Sequence, residues 1–175
     1  MILIFWREQM NSQQLYDFII KPTLQYMGGN YYSKESAFLL LCTAAIESDC
    51  GYYIKQINGP ALGIWQMEPD TEIDIWQNCD ALKTEFGQII ANLATPYSDL
   101  ADNDLIDAPK YACAMARLKY SMDPNPLPKL TGDNNLDSRS FYDYYKRVYN
   151  TELGASTFDK WAVALKKHRI FEVEL

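Results

Sequence analysis

Between Ser33 and Gly51 the chain reads SKESAFLLLCTAAIESDCG, a segment that opens on a capping serine and then stays apolar around its whole circumference. At a helical 3.6-residue period Leu39, Leu40 and Leu41 project in three directions, so no single face can be turned to water. A helix of this kind must be enclosed by others. The segment therefore predicts an all-helical domain built around one central helix that ends near Cys50-Gly51. Leu40, Ala44 and Glu47 lie on one stripe of it by the i, i+4, i+7 rule, so a carboxyl group extends a face bound for the core. Desolvation raises a carboxyl pKa, and a helix C-terminus disfavours negative charge. Glu47 is thus expected to hold its proton near neutral pH and to be available as a general acid.

At 175 residues and 48% hydrophobic composition, one domain is expected to bury roughly 70% of its unfolded surface without help from disulfides or metals. Cys42 and Cys50, eight residues apart on one helix, would stand roughly 12 Å apart along it, too far to bridge. Cys79 and Cys113 add no tight Cys/Cys or Cys/His spacing, and the single histidine, His168, sits in the basic run Lys166-Lys167-His168-Arg169. No metal and no cofactor are expected. A Ser/His/Asp or Cys/His centre would have to be built around that one histidine, whereas carboxylates and thirteen tyrosines are abundant. Tyrosine and tryptophan faces suit sugar rings, although most of these rings are expected to be packing residues. A net charge of −7 argues against nucleic acid as a partner.

The N-terminal MILIFWRE has too short an apolar run, no preceding basic region and no small-residue cleavage site, and so is not expected to be a signal peptide. The longest apolar stretch elsewhere, Ala37 to Cys42, falls far short of the roughly 20 residues that span a bilayer. The expectation is a soluble product made in the cytoplasm without an export signal and without stable membrane insertion.

Along the chain, Asn11 or Ser12 caps a first helix through Leu15, Phe18 and Ile19 that Pro22 bends or interrupts before Gly28-Gly29. Residues 52–63 read as a loop with a small hairpin around Gln56 to Gly59, and function is expected to gather there. Pro69 opens the next helix. Asp80 is expected to cap a helix through Leu82, Phe86, Ile89, Ile90 and Leu93, and Pro109 to open another carrying Tyr111, Met115, Leu118 and Met122. Asp123 to Asn135 is a long irregular crossing, expected to be disordered or functional. Ser138 opens a tyrosine-rich helix to about Tyr149, and Ser156 or Thr157 caps a last helix with Trp161, Ala164 and Leu165 inward. Strand signals are weak, so the reading is one all-α domain of seven or eight helices.

Glu47-Ser48 followed by Gly51, then Gly63-Ile64-Trp65-Gln66-Met67-Glu68-Pro69-Asp70-Thr71, resembles the lytic transglycosylase and goose-type lysozyme superfamily. Its members carry an ES-x-x-G turn and then a G-[LI]-x-Q turn that often continues as Q-[IVM]-x-P-x-T. Two further matches follow in order. Ala114-Met115-Ala116-Arg117-Leu118 is similar to the family's Ala-rich helix, and Val148-Tyr149-Asn150, Gly154 and Trp161 are similar to its A-Y-N-x-G segment and following tryptophan. The ordered set spans about residues 35–165. Trp65 stands where methionine is usual, Val148 replaces an alanine, and Gly154 comes later than the pattern expects.

The resemblance implies a lysozyme-like fold with the acid at the end of the central helix, beside a cleft for peptidoglycan glycan strands. Glu47 would cleave the β-1,4 bond between N-acetylmuramic acid and N-acetylglucosamine as general acid and then base, with the substrate's acetamido oxygen stabilising the oxocarbenium-like carbon. Ser48 would orient Glu47 or bond the sugar, the alternative being a helix-end hydroxyl on a backbone carbonyl, and Gln66 would offer its amide to the glycan, the alternative being a turn residue that satisfies loop backbone. Tyr149 would line the cleft, with Trp65 and Asn150 as lesser contacts. Glu68 is either a water-positioning second carboxylate or a first-turn acid favoured by the helix dipole. Hydrolysis and formation of a 1,6-anhydro product both stay open. The size and the absence of an export signal suit a bacteriophage endolysin or a virion-associated wall-opening protein with an assembly partner. A non-catalytic lysozyme-like binding module and a chitinase-like glycosidase are the alternatives.

Overall fold

The computed structural model describes residues 10–94, 103–150 and 154–175, so the N-terminal MILIFWRE lies outside the described residues. The domain is helical, and the described residues form no sheet. Its centre is α3 (Lys34–Ser48), where Leu39, Leu40, Leu41, Cys42 and Ala44 are all essentially inaccessible to solvent. Ser33 caps it as expected: its hydroxyl accepts from Ser36 N–H, and Ser36 Oγ accepts from Ser33 N–H in return. The helix stops because Asp49, Cys50 and Gly51 all take positive φ, a left-handed turn that the helical ladder cannot continue.

Around α3 pack α7 (Pro109–Ser121), α8 (Asn134–Tyr145), α9 (Phe158–Lys167) and the turn Tyr16–Ile20, which joins α1 (Ser12–Leu15) to α2 (Lys21–Met27). Asn11 caps α1 through its side chain, and the chain stays helical through Pro22. A π turn at Tyr16–Ile20 widens the helix just before the proline, which accommodates a residue that lacks an N–H and crowds the preceding turn. Pro22 therefore neither interrupts nor ends the segment. On α7 the small residues Ala112, Ala114 and Ala116 are buried, which lets α2 and α3 approach its backbone closely.

α4 (Pro69–Asn78) begins at Pro69 as expected and is fastened to α7 by Tyr111, whose hydroxyl donates to Glu72 Oε1 at 2.5 Å and accepts from Trp76 Nε1 at 2.8 Å. Beyond it two corrections arise. Asp80 caps no α-helix. It opens a 3-10 turn (Asp80–Lys83), and Thr84 caps α5 (Glu85–Ala91) instead. Ser138 does not open α8, because Asp133 does so five residues earlier by accepting from Asn135 N–H and Leu136 N–H. Between them lies α6 (Asp104–Asp107). The crossing from Asp123 to Asn135, expected to be disordered or functional, is ordered: the buried Asp137 carboxylate accepts from Thr131 N–H, Thr131 Oγ1 and Gly132 N–H. The prolines and glycine there serve a route that one carboxylate holds in place.

The hairpin expected within residues 52–63 is reduced to single bridges. Lys55 pairs with Leu62, and Leu62 pairs in turn with Met67 through reciprocal bonds of 2.9 Å. The pairing thus reaches past Gly63 and closes the 63–66 turn. All four cysteines are free and buried, including Cys42 and Cys50. No described helix is long and apolar enough to cross a membrane.

Candidate active site

Glu47 occupies the last turn of α3 and opens into a cleft of about 500 Å³. The group is partly buried, and that burial raises its carboxyl pKa above the ordinary value despite hydrogen bonds from Tyr145 and Asn150 and the charge of Lys146, all of which favour the ionised form. The balance leaves a carboxyl with enhanced proton affinity whose anion nevertheless has partners. A group of this kind can give up a proton and take one back.

Those partners come from the end of α8, which widens into a second π turn at Lys146–Asn150. Such turns are frequent at functional sites because they rotate successive side chains out of the regular register. Tyr145 donates its hydroxyl to Glu47 Oε1 at 2.5 Å, and its oxygen lies 3.0 Å from Ser156 Oγ. With the phenol proton directed at the carboxylate, Ser156 is the donor of the second bond. Burial first, and then the Glu47 charge, drive the Tyr145 phenol far above its usual range, so it stays a neutral donor. Its ring is fixed by Trp161, tilted against it at 5.0 Å, and by Tyr149, stacked at 6.2 Å.

Lys146 reaches back with Nζ to Asn150 Oδ1 at 2.8 Å and Gly154 O at 2.6 Å. With its oxygen held, Asn150 turns its amide N–H groups toward Glu47. Gly154 must be small, because a Cβ there would stand 2.1 Å from Asn150 Oδ1. The late position of this glycine is therefore compatible with packing directly against the asparagine.

Ser48 is fully buried and touches neither the cleft nor Glu47. Its hydroxyl donates to Ile64 O at 2.5 Å and accepts from Gly51 N–H at 2.8 Å, which ties the end of α3 to the 63–66 turn. The expectation that Ser48 orients the acid or bonds a sugar is corrected: it is the latch between the two turns. Trp65 is corrected too. It is 1% exposed and its Nε1 donates to Leu40 O at 3.0 Å, so the larger indole in place of methionine is a core residue and not a cleft contact.

Gln66 lines the cleft at φ 45°, an uncommon backbone conformation for a residue with a Cβ. Its Nε2 donates to Tyr53 O at 3.0 Å and Gly63 O at 2.8 Å, which compensates the strained turn and leaves Oε1 as the uncommitted end of the amide among the described residues. What it can offer a ligand is an acceptor for an N–H. Gly63 allows the turn to seat, since a Cβ there would meet Leu105 O at 2.1 Å and its φ is +75°. Tyr149 lines the cleft as expected, but its hydroxyl donates to Trp65 O at 2.8 Å and not to Glu47. Asn150 and Glu68 also line it, Glu68 at the exposed N-cap position of α4 with no capping bond from its side chain.

The sequence reading missed Tyr145, Lys146 and Ser156 as site residues. Helical spacing carried the signal for two of them, because Tyr145 and Lys146 lie one turn before Tyr149 and Asn150 and share their faces. Among the described residues no group of three His, Cys, Asp or Glu side chains is disposed to hold a metal ion. Comparison of the chain with protein-family models, with curated proteins and with solved structures returns no match in any of the three.

Proposed function

We propose that the protein is a peptidoglycan-degrading muramidase that cleaves the β-1,4 bond between N-acetylmuramic acid and N-acetylglucosamine. The observation that supports this most is one carboxyl, Glu47, that faces a cleft with raised proton affinity while a phenol and an amide stand ready to stabilise its anion. Glu47 protonates the glycosidic oxygen as the bond breaks, a contribution of about 10²- to 10⁴-fold. Tyr145 and Asn150 then hold the carboxylate in place until it takes a proton from the second nucleophile. The substrate's acetamido oxygen stabilises the oxocarbenium-like carbon, so one carboxyl suffices for bond cleavage. Gln66 Oε1 accepts from an acetamido N–H.

Both outcomes expected of the lytic transglycosylase and goose-type lysozyme superfamily fit this site. Attack by the sugar's own C6 hydroxyl gives a 1,6-anhydro end, and attack by a water held at Glu68 gives a reducing end. The wall of a bacterium is the site of action, with a bacteriophage endolysin or a virion-associated protein as the setting. Mass spectrometry of purified peptidoglycan after incubation tests the whole reading. Muropeptides with either end are expected from the wild type and none from Glu47→Gln. Intact glycan in both samples across a range of pH would overturn it.

A further inference from the structure

Among the described residues that line the Glu47 cleft, Lys119 carries the only positive charge, and it shares that lining with two carboxyls, Glu47 and Glu68. It stands in the last turn of α7, half-buried, next to Tyr120, whose ring stacks on Tyr149 at 5.2 Å. Lys83, Lys129 and Lys167 each have a carboxylate partner, and Lys146 and Lys160 each donate to a carbonyl oxygen. Lys119 has no such partner among the described residues, and neither do Lys21, Lys34, Lys55, Lys110 and Lys166, but of these only Lys119 lines the cleft. In a chain of net charge −7 it is thus the one cation that a ligand would meet in the lining of this cleft, on the same concave wall as the acid. The favourable helix dipole accounts for a lysine at the end of α7 but not for its facing the cleft.

A neutral polysaccharide needs no cation in its groove. An acidic one does, since Glu68, and Glu47 whenever it is ionised, would otherwise repel it. We infer that Lys119 is a specificity-determining residue that binds a carboxylate of the glycan substrate and thereby sets which sugar of the strand lies at Glu47. This rests on the muramidase reading above. Two sources present the same chemistry: the lactyl carboxylate of muramic acid when the peptide is absent, and the carboxylates of the peptide stem when it is present. Either would give Lys119 a charge-assisted hydrogen bond, while a chitin oligomer offers none.

The test uses binding and cleavage together. Lys119→Met, Lys119→Gln and Lys119→Arg are compared with the parent in two backgrounds: the wild type for cleavage and Glu47→Gln for calorimetric binding. The ligands are stem-bearing glycan fragments, fragments stripped of their peptides by an amidase, and neutral N-acetylglucosamine oligomers. The expected result is that Lys119→Met and Lys119→Gln weaken a carboxylate-bearing ligand about tenfold more than the neutral oligomer, through KM more than kcat. Lys119→Arg is expected to restore most of that loss, and added salt to weaken the parent's carboxylate binding selectively. Whichever carboxylate-bearing ligand suffers identifies the source. Equal losses on charged and neutral ligands, or no loss on any, would overturn the role of Lys119 while leaving the muramidase reading intact. Absence of any cleavage by the wild type would remove both.

Discussion

The Tyr145 hydroxyl donates to Glu47 Oε1 across 2.5 Å, and the same phenol oxygen lies 3.0 Å from Ser156 Oγ. This makes a short chain of hydroxyls that ends on the candidate acid. The arrangement favours the Glu47 anion, whereas burial favours the neutral acid, and the second effect wins. The two opposing influences can be separated by mutation.

Tyr145→Phe removes a donor that serves only the ionised carboxyl, so the Glu47 pKa should climb further. Activity requires the protonated acid, and the alkaline limb of the pH–rate profile should therefore move upward. A bond to a charged group worth about 1.5 kcal/mol corresponds to about one pH unit. The maximal rate should fall about tenfold as the acid loses its positioning partner. A limb that stays put or moves down would show that the phenol does not act on the acid.

Glu47→Gln should abolish cleavage and leave the fold at least as stable as the wild type. The folded carboxyl has a raised pKa, so its contribution to stability is fully present below the unfolded-state pKa and is lost as the pH rises through the folded value. Glutamine does not ionise. Its advantage over the parent should thus be smallest at about pH 4 and grow toward neutrality, reaching about 0.5–2 kcal/mol in urea unfolding, the range typical of a single stabilising substitution. A pH-independent difference would contradict the burial of this group.

Ser48→Ala should cost about 1–3 kcal/mol, because it leaves Ile64 O and Gly51 N–H without the hydroxyl that satisfies both at a fully buried position. Activity should fall as well, through the loosened 63–66 turn and Gln66. Chemical denaturation together with turnover measures both. Stability lost without any change in activity would mean that the turn holds its shape unaided.

Asp49→Asn probes the far side of the same helix end. Burial raises the Asp49 pKa, but hydrogen bonds and charge from Lys167 and His168 outweigh it and hold the carboxyl below its ordinary value. A depressed folded pKa contributes stability that is present above the unfolded value and lost as pH falls through the folded one. The wild type should lose this contribution below about pH 4, and the variant should show no such loss. Parallel stability curves across that window would refute the clasp between α3 and the end of α9.

How far the site could be read from the residues differs from one to the next. The central helix was legible because a circumference of apolar side chains admits one solution, enclosure by other helices, and Ser33, Pro69, Pro109 and Thr157 mark helix starts by local chemistry alone. Glu47 was legible because its stripe is fixed by helical spacing. Asp80 and Ser138 misled because a capping residue type says nothing about its competitors, and Thr84 and Asp133 made the bonds instead.

What local pattern could not supply is which side chain meets which across the fold. Trp65 and Ser48 carry hydrogen-bonding groups suited to a sugar, yet both are spent on buried carbonyls of Leu40 and Ile64. Tyr149 could have held the acid, but within the π turn its hydroxyl goes to Trp65 O, and Tyr145, the last residue of α8, meets Glu47 instead. The sequence by itself determined the all-helical class, the central helix and the depth at which Glu47 sits, because these follow from periodicity along one chain segment. Only the tertiary structure decided the partners of that acid and the company of Lys119 in the cleft, because they depend on segments about a hundred residues apart being packed to within hydrogen-bonding distance.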